Sequence, residues 1–86
     1  MLLTIDVGNT NTVLGTFLGE DLIHSWRVKT DPRSTADELW LQMRALIEDI
    51  EITGISLCST VPAVLREMRT MFDSYFKNIP ITIVEP

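Results

Sequence analysis

The sequence predicts an α/β domain with the element order βββαβαβ, and three observations carry the prediction. An apolar run closes on an aspartate and a short Gly/Asn/Thr turn within residues 2–12, and two further strand-like runs follow it at hairpin spacing. Beyond residue 34, two stretches of helical periodicity alternate with two short apolar runs.

Leu2 to Val7 is rich in Leu, Ile and Val. Taken as one continuous apolar run, it predicts a mostly buried central strand covered on both faces. The loop Gly8 to Asn11 is too short for a crossover, so Thr12 to Leu18 is expected to return antiparallel. Gly19-Glu20-Asp21 makes a second tight turn. Leu22 to Thr30 then alternates, with Leu22, His24, Trp26 and Val28 assigned to one face and Ile23, Ser25, Arg27 and Lys29 to the other.

Asp31-Pro32-Arg33-Ser34 breaks the strand pattern, and Thr35-Ala36-Asp37-Glu38 has the Thr-x-x-Glu spacing of a capping box. A helix follows, with Leu39, Met43, Leu46, Ile47 and Ile50 as its buried stripe and acidic residues in its first turn, where the dipole favours them. Gly54 comes soon after its end. Ile55 to Ser59 is a fourth strand, and Pro62 is placed for the first turn of a second helix, whose apolar face is Val64, Leu65, Met68, Phe72, Tyr75 and Phe76. Pro80 stops that pattern, and Ile81 to Val84 supplies a fifth strand.

Two hairpins followed by two crossovers is a ribonuclease-H-like order, which predicts a five-stranded mixed sheet. If both crossovers are right-handed and step the same way, the two helices lie on one face. The opposite face then lacks cover, and a helix beyond Pro86 or a partner chain is expected to supply it.

With 86 residues, 45% hydrophobic and 22% charged, the composition is that of one globular domain. A chain of this length buries only about 60% of its unfolded surface, so it is expected to be a fragment, one half of a two-lobed protein, rather than an enzyme with two substrate sites. The net charge of −5 and the scattered basic residues argue against nucleic-acid and anionic-membrane partners, which require clustered Lys and Arg. Cys58 is the only cysteine, which fits a reducing compartment, and no signal-peptide pattern or long apolar span is present. A cytoplasmic protein is expected.

The chemistry concentrates at the first turn. Asp6 ends a central strand, where ligands collect in open α/β sheets, and its carboxylate can hold Mg²⁺ directly or through water. Gly8 lets a phosphate approach the backbone, while Asn9, Thr10, Asn11 and Thr12 add neutral hydrogen-bonding groups. The same residues also suit an ordinary hairpin.

Other candidates have plainer explanations. His24 shares its strand with apolar neighbours and fits a structural role, and Cys58 fits a small buried hydrophobe. Asp37 and Glu38 serve a helix start, and Glu48, Asp49 and Glu51 a solvated helix end. Met68, Met71 and Phe72 suit a core or dimer surface. Ser59-Thr60 either caps the second helix or faces the cleft beside the first strand.

Taken together, these residues place the sequence near the superfamily of actin, sugar kinases and heat-shock ATPases, and more closely it resembles type III pantothenate kinase, also known as the Bvg accessory factor family. The resemblance runs from Leu2 to Pro86 through Asp6-Val7-Gly8-Asn9-Thr10, Trp26-Arg27-Val28-Lys29-Thr30, Thr35-Ala36-Asp37-Glu38-Leu39 and Ser59-Thr60-Val61-Pro62. It implies ATP-dependent phosphorylation of pantothenate, the opening step of coenzyme A synthesis, by a homodimer using a divalent cation and a monovalent one (K⁺ or NH₄⁺) held outside this segment. By that resemblance Asp6 is the catalytic and metal-holding carboxylate, and Asp6, Val7, Gly8, Asn9, Thr10, Asn11, Thr12 and Val13 bind the nucleotide. The family's Gly-x-Asp-Arg segment and the second lobe's phosphate and adenosine segments have no counterpart here, so this piece alone is expected to be inactive. A non-catalytic regulatory module on the same fold, and a related kinase with another acceptor, are the alternatives.

Overall fold

A computed structural model describes residues 1–84 of the chain. Residues 85–86, which the sequence reading includes in the domain, lie outside the described residues. The elements are β1 (Leu2–Val7), β2 (Asn11–Leu18), β3 (Asp21–Lys29), α1 (Ala36–Ile47), β4 (Gly54–Ser59), α2 (Pro62–Tyr75) and β5 (Ile81–Val84), in the predicted order.

They form one sheet of order β3-β2-β1-β4-β5. The β1–β2 and β2–β3 pairs are antiparallel, while β4 runs parallel to β1 and β5 parallel to β4. β1 is therefore central. The buried cluster joins Leu3, Ile5 and Val7 of β1 to Met43 and Ile47 of α1 and to Met68 and Phe72 of α2. One core thus lies between one face of the sheet and both helices, as the order predicts.

The opposite sheet face carries no helix among the described residues. Here β1 departs from the sequence reading. It is not buried on both sides: Leu3, Ile5 and Val7 are buried, whereas Leu2 and Asp6 are exposed and Thr4 is half-buried. Successive strand side chains point to opposite faces, so Thr4 and Asp6 turn the seemingly continuous run into an alternating one.

A second departure lies in β3. Thr16 pairs with His24 but Phe17 pairs with Leu22, leaving Ile23 as the extra residue of a β-bulge. The bulge moves Leu22 off the face of His24, Trp26 and Val28, and its Cδ1 lies 3.1 Å from where a Cβ on Gly15 would stand. Gly19, with φ of 62°, supplies the left-handed residue of the β2–β3 turn, and Asp21 already belongs to β3.

α1 begins where the capping box predicts. The Glu38 amide donates to Thr35 Oγ1 at 3.2 Å, and the Thr35 amide donates to Glu38 Oε1 at 3.0 Å. The helix stops at Ile47, so Ile50 packs on the core from the connection that follows, while Glu48, Asp49 and Glu51 are exposed. α2 starts at Pro62 with Val61 as its N-cap and no side-chain cap bond. The capping role considered for Ser59 and Thr60 is thus not the one they have: the Ser59 hydroxyl accepts instead from the Val61 amide at 3.1 Å.

Met71 joins the buried face of α2, and Tyr75 lies outside it. The Tyr75 ring stacks on Trp40 at 4.6 Å, and its hydroxyl donates to Asp37 Oδ1 at 2.7 Å. No helix among the described residues is long and apolar enough to cross a membrane.

Candidate functional site

The strand directions gather the β1–β2 turn, the end of β3, the start of α1 and the β4–α2 connection at one end of the sheet. Asp6 stands there, paired in register with Val13 of β2 and Cys58 of β4. Its carboxylate is exposed on the uncovered face and forms no bond with any other described residue. It is free to take an external ligand.

The turn is closed by the Gly8 amide, which donates to the Asn11 carbonyl at 2.9 Å. None of residues 8–11 has a positive φ, so Gly8 is needed for space rather than for a left-handed backbone. A Cβ on it would stand 3.1 Å from the Asn11 carbonyl oxygen. With the Gly8 amide engaged, the Asn9 and Thr10 amides are the turn's donors without a partner among the described residues, and both residues are exposed.

Asn11 is half-buried and opens β2 instead of belonging to the loop, while Val13 is half-buried beside Asp6. Thr12 differs from its neighbours. It is buried on the helix side, and its hydroxyl is 2.9 Å from that of Thr30. The structure therefore brings Asp6, Gly8, Asn9, Thr10 and Asn11 together at the surface and places Thr12 beneath them as support.

Among the described residues no group of three or more His, Cys, Asp or Glu side chains could hold a metal ion. A lone exposed carboxylate still fits Mg²⁺, which keeps several waters and commonly takes one or two protein carboxylates together with substrate phosphates. It does not fit a site made by protein ligands alone.

The other candidates fall elsewhere. His24 binds the Thr16 hydroxyl through Nδ1 at 2.8 Å and stacks on Trp26 at 5.5 Å, a structural role at the opposite end of β2. Cys58 is half-buried on the uncovered face rather than packed in the core. A groove of about 580 Å³ lies far from Asp6 and is lined by Met1, His24, Trp26 and the acidic connection after α1. A smaller polar cleft of about 270 Å³ adjoins the turn, between Thr12, Lys29 and Thr30 on one side and Ser34, Glu38 and Gln42 on the other.

Thr30 is a residue at the turn that the sequence did not point to, whereas Thr60 follows the second of its two expected readings and lies beside the first strand. Their amides donate to the Thr10 carbonyl at 2.9 Å and the Val7 carbonyl at 3.1 Å. Both belong to motifs visible in the sequence, but those motifs do not say what the two residues touch.

A strand-end carboxylate beside a polar turn, on a mixed sheet of this order, defines an α/β domain of the ribonuclease-H-like class. Two solved structures share that fold. A Listeria monocytogenes protein described as a candidate N-acetylmannosamine kinase aligns with a TM-score of 0.69 and 17% identity over 98% of this chain and 34% of its own. Thermus thermophilus RuvC bound to a Holliday junction aligns with a TM-score of 0.64 and 19% identity over 99% of this chain and 64% of its own. A protein described as a sugar kinase and one bound to a Holliday junction on the same scaffold mean that the fold does not select the chemistry.

Sequence comparison does select a family. The type III pantothenate kinase family model matches residues 2–86. The chain is 59% identical to the type III pantothenate kinase of Salinispora arenicola and 62% identical to that of Frankia alni, with the whole chain aligned. It belongs to the type III pantothenate kinase family. It spans 35% and 34% of those relatives' lengths.

Proposed function

We propose that this chain is the N-terminal, phosphate-binding lobe of a type III pantothenate kinase, which converts ATP and pantothenate to ADP and 4′-phosphopantothenate in the first step of coenzyme A synthesis. The observation that carries the reading is the exposed, unbonded Asp6 carboxylate at the carboxyl end of the central strand, beside the free amides of Asn9 and Thr10.

In this reading Asp6 is the catalytic carboxylate of the lobe and holds a divalent cation against the ATP phosphates. When bound, that cation neutralises phosphate charge as the phosphoryl group departs. The Asn9 and Thr10 amides and the side chains of Asn9, Thr10 and Asn11 donate to phosphate oxygens. Val13, paired with Asp6 across the sheet, flanks the carboxylate, while Val7, its side chain buried under the helices, serves through its backbone. Such transfer depends mainly on position and charge. The base that activates the pantothenate hydroxyl, the adenosine pocket and the ligands of the monovalent cation belong to sequence outside this segment. The segment alone is accordingly inactive, and the full-length enzyme works as a cytoplasmic homodimer with no nucleic-acid or membrane partner.

Asp6→Asn in the full-length protein tests this. The amide keeps the shape but removes the charge, so pantothenate phosphorylation at saturating ATP and Mg²⁺ is expected to fall about 100-fold or more, as when a group stabilising transition-state charge is lost. Near-normal turnover would remove Asp6 from the role.

A further inference from the structure

The two motifs that end in Thr30 and at Ser59-Thr60-Val61-Pro62 place no group inside the turn, yet both finish against it. The Thr30 amide donates to the Thr10 carbonyl at 2.9 Å, and the Thr30 hydroxyl lies 2.9 Å from that of Thr12. Thr12 is only 5% exposed, so its hydroxyl depends on that one partner. On the other limb the Thr60 amide donates to the Val7 carbonyl at 3.1 Å, and the Thr60 hydroxyl reaches the same oxygen at 3.4 Å. Thr30 therefore holds the limb leaving the turn and Thr60 the limb entering it.

Between the two clamps the turn has a single internal backbone bond, from Gly8 to Asn11. A hairpin that only reversed the chain would be served by its ladder. A turn that must present the Asn9 and Thr10 amides and the Asp6 carboxylate at fixed separations needs its limbs held, because misplacement by about 1 Å can cost a reaction of this kind roughly 100-fold.

We propose that Thr30 is a positioning residue for the phosphate turn, acting through Thr10 and Thr12, with Thr60 as its weaker counterpart acting through Val7. The inference rests on the phosphate-binding reading of the turn. It assigns Thr30 no contact with substrate.

Steady-state kinetics of the full-length protein test it with Thr30→Val, which keeps the side chain's shape, and Thr30→Ser, which keeps the hydroxyl. Thr30→Val is expected to lower kcat/KM for ATP about tenfold, the order expected when a buried hydroxyl loses its partner, with KM for pantothenate unchanged. Thr30→Ser should recover to within about twofold of the parent, and Thr60→Val, removing a longer contact, should lose only about threefold. Wild-type kcat/KM in Thr30→Val overturns the proposal. So does a loss that Thr30→Ser fails to rescue, or one that affects both substrates equally in step with a lowered Tm. Amide hydrogen exchange at Gly8 separates this inference from the function on which it rests. Faster exchange in Thr30→Val supports the clamp even if the parent protein proves not to phosphorylate pantothenate, and unchanged exchange sinks it even if Asp6→Asn abolishes turnover.

Discussion

The two faces of β1 carry different duties on alternate residues. Leu3, Ile5 and Val7 are at most 2% exposed and pack under both helices, whereas Thr4 and Asp6 look out from the uncovered side. On the proposed function, stability and chemistry share one strand without sharing a residue. A carboxylate one position earlier would be buried between Leu14 and Leu57, where ionisation would be costly.

Placing the same residue at two adjacent positions would break that comparison most sharply. Ile5→Asn is expected to cost about 4 kcal/mol or more, combining lost apolar burial with an unpaired buried amide. That is much of a small domain's stability, so a cooperative urea transition at room temperature should be lost or strongly shifted. Asp6→Asn, next to it, should leave the urea midpoint of the chain nearly unchanged while the full-length enzyme loses its roughly 100-fold of turnover, worth about 2.7 kcal/mol. If Asp6→Asn unfolds the chain, or Ile5→Asn does not destabilise it, the division of duties fails.

Smaller effects sharpen the covered side. Thr35→Ala removes one half of the reciprocal cap on α1 and should cost about 1 kcal/mol, read as a lowered Tm with unchanged helical circular dichroism at low temperature. The smallest effect concerns Tyr75. Its hydrogen bond to Asp37 holds the phenol above its ordinary pKa of 10.0, so the protonated form is the one the fold favours. That contribution is complete below pH 10 and is lost as pH rises through the raised value. Tyr75→Phe should therefore melt slightly below the parent at neutral pH, with the gap closing in strongly alkaline buffer. A gap that stays constant with pH would mean the hydroxyl contributes nothing through its proton.

Much of this architecture was legible because local chemistry and global order agree. Thr35 and Glu38 announce a helix start, Pro62 marks another, and hairpin-length loops against helix-length ones leave little freedom in the topology. The carboxylate at the strand end was visible for the same reason. What the sequence concealed depends on parity and on distance. Leu2 to Val7 looks continuous because one of its outward residues is also apolar, so Thr4 and Asp6 alone reveal the alternation. The bulge at Ile23 leaves no local mark, since Leu22 and Ile23 are equally good strand residues on either face. Ser59 and Thr60 are common cap residues, and only the parallel pairing of β4 with β1 shows that Thr60 meets Val7. Tyr75 keeps helical spacing but finds a polar partner on α1 in place of the core.

The register of β4 against β1 also has a practical consequence. Cys58 is the direct partner of Asp6, about 4.8 Å across the sheet, and is the only thiol in these 86 residues. Half-buried on the uncovered face, it offers a single attachment point for a small environment-sensitive fluorophore or a nitroxide. A probe there would sit one strand from the carboxylate and report occupancy of the turn directly, without any engineered residue.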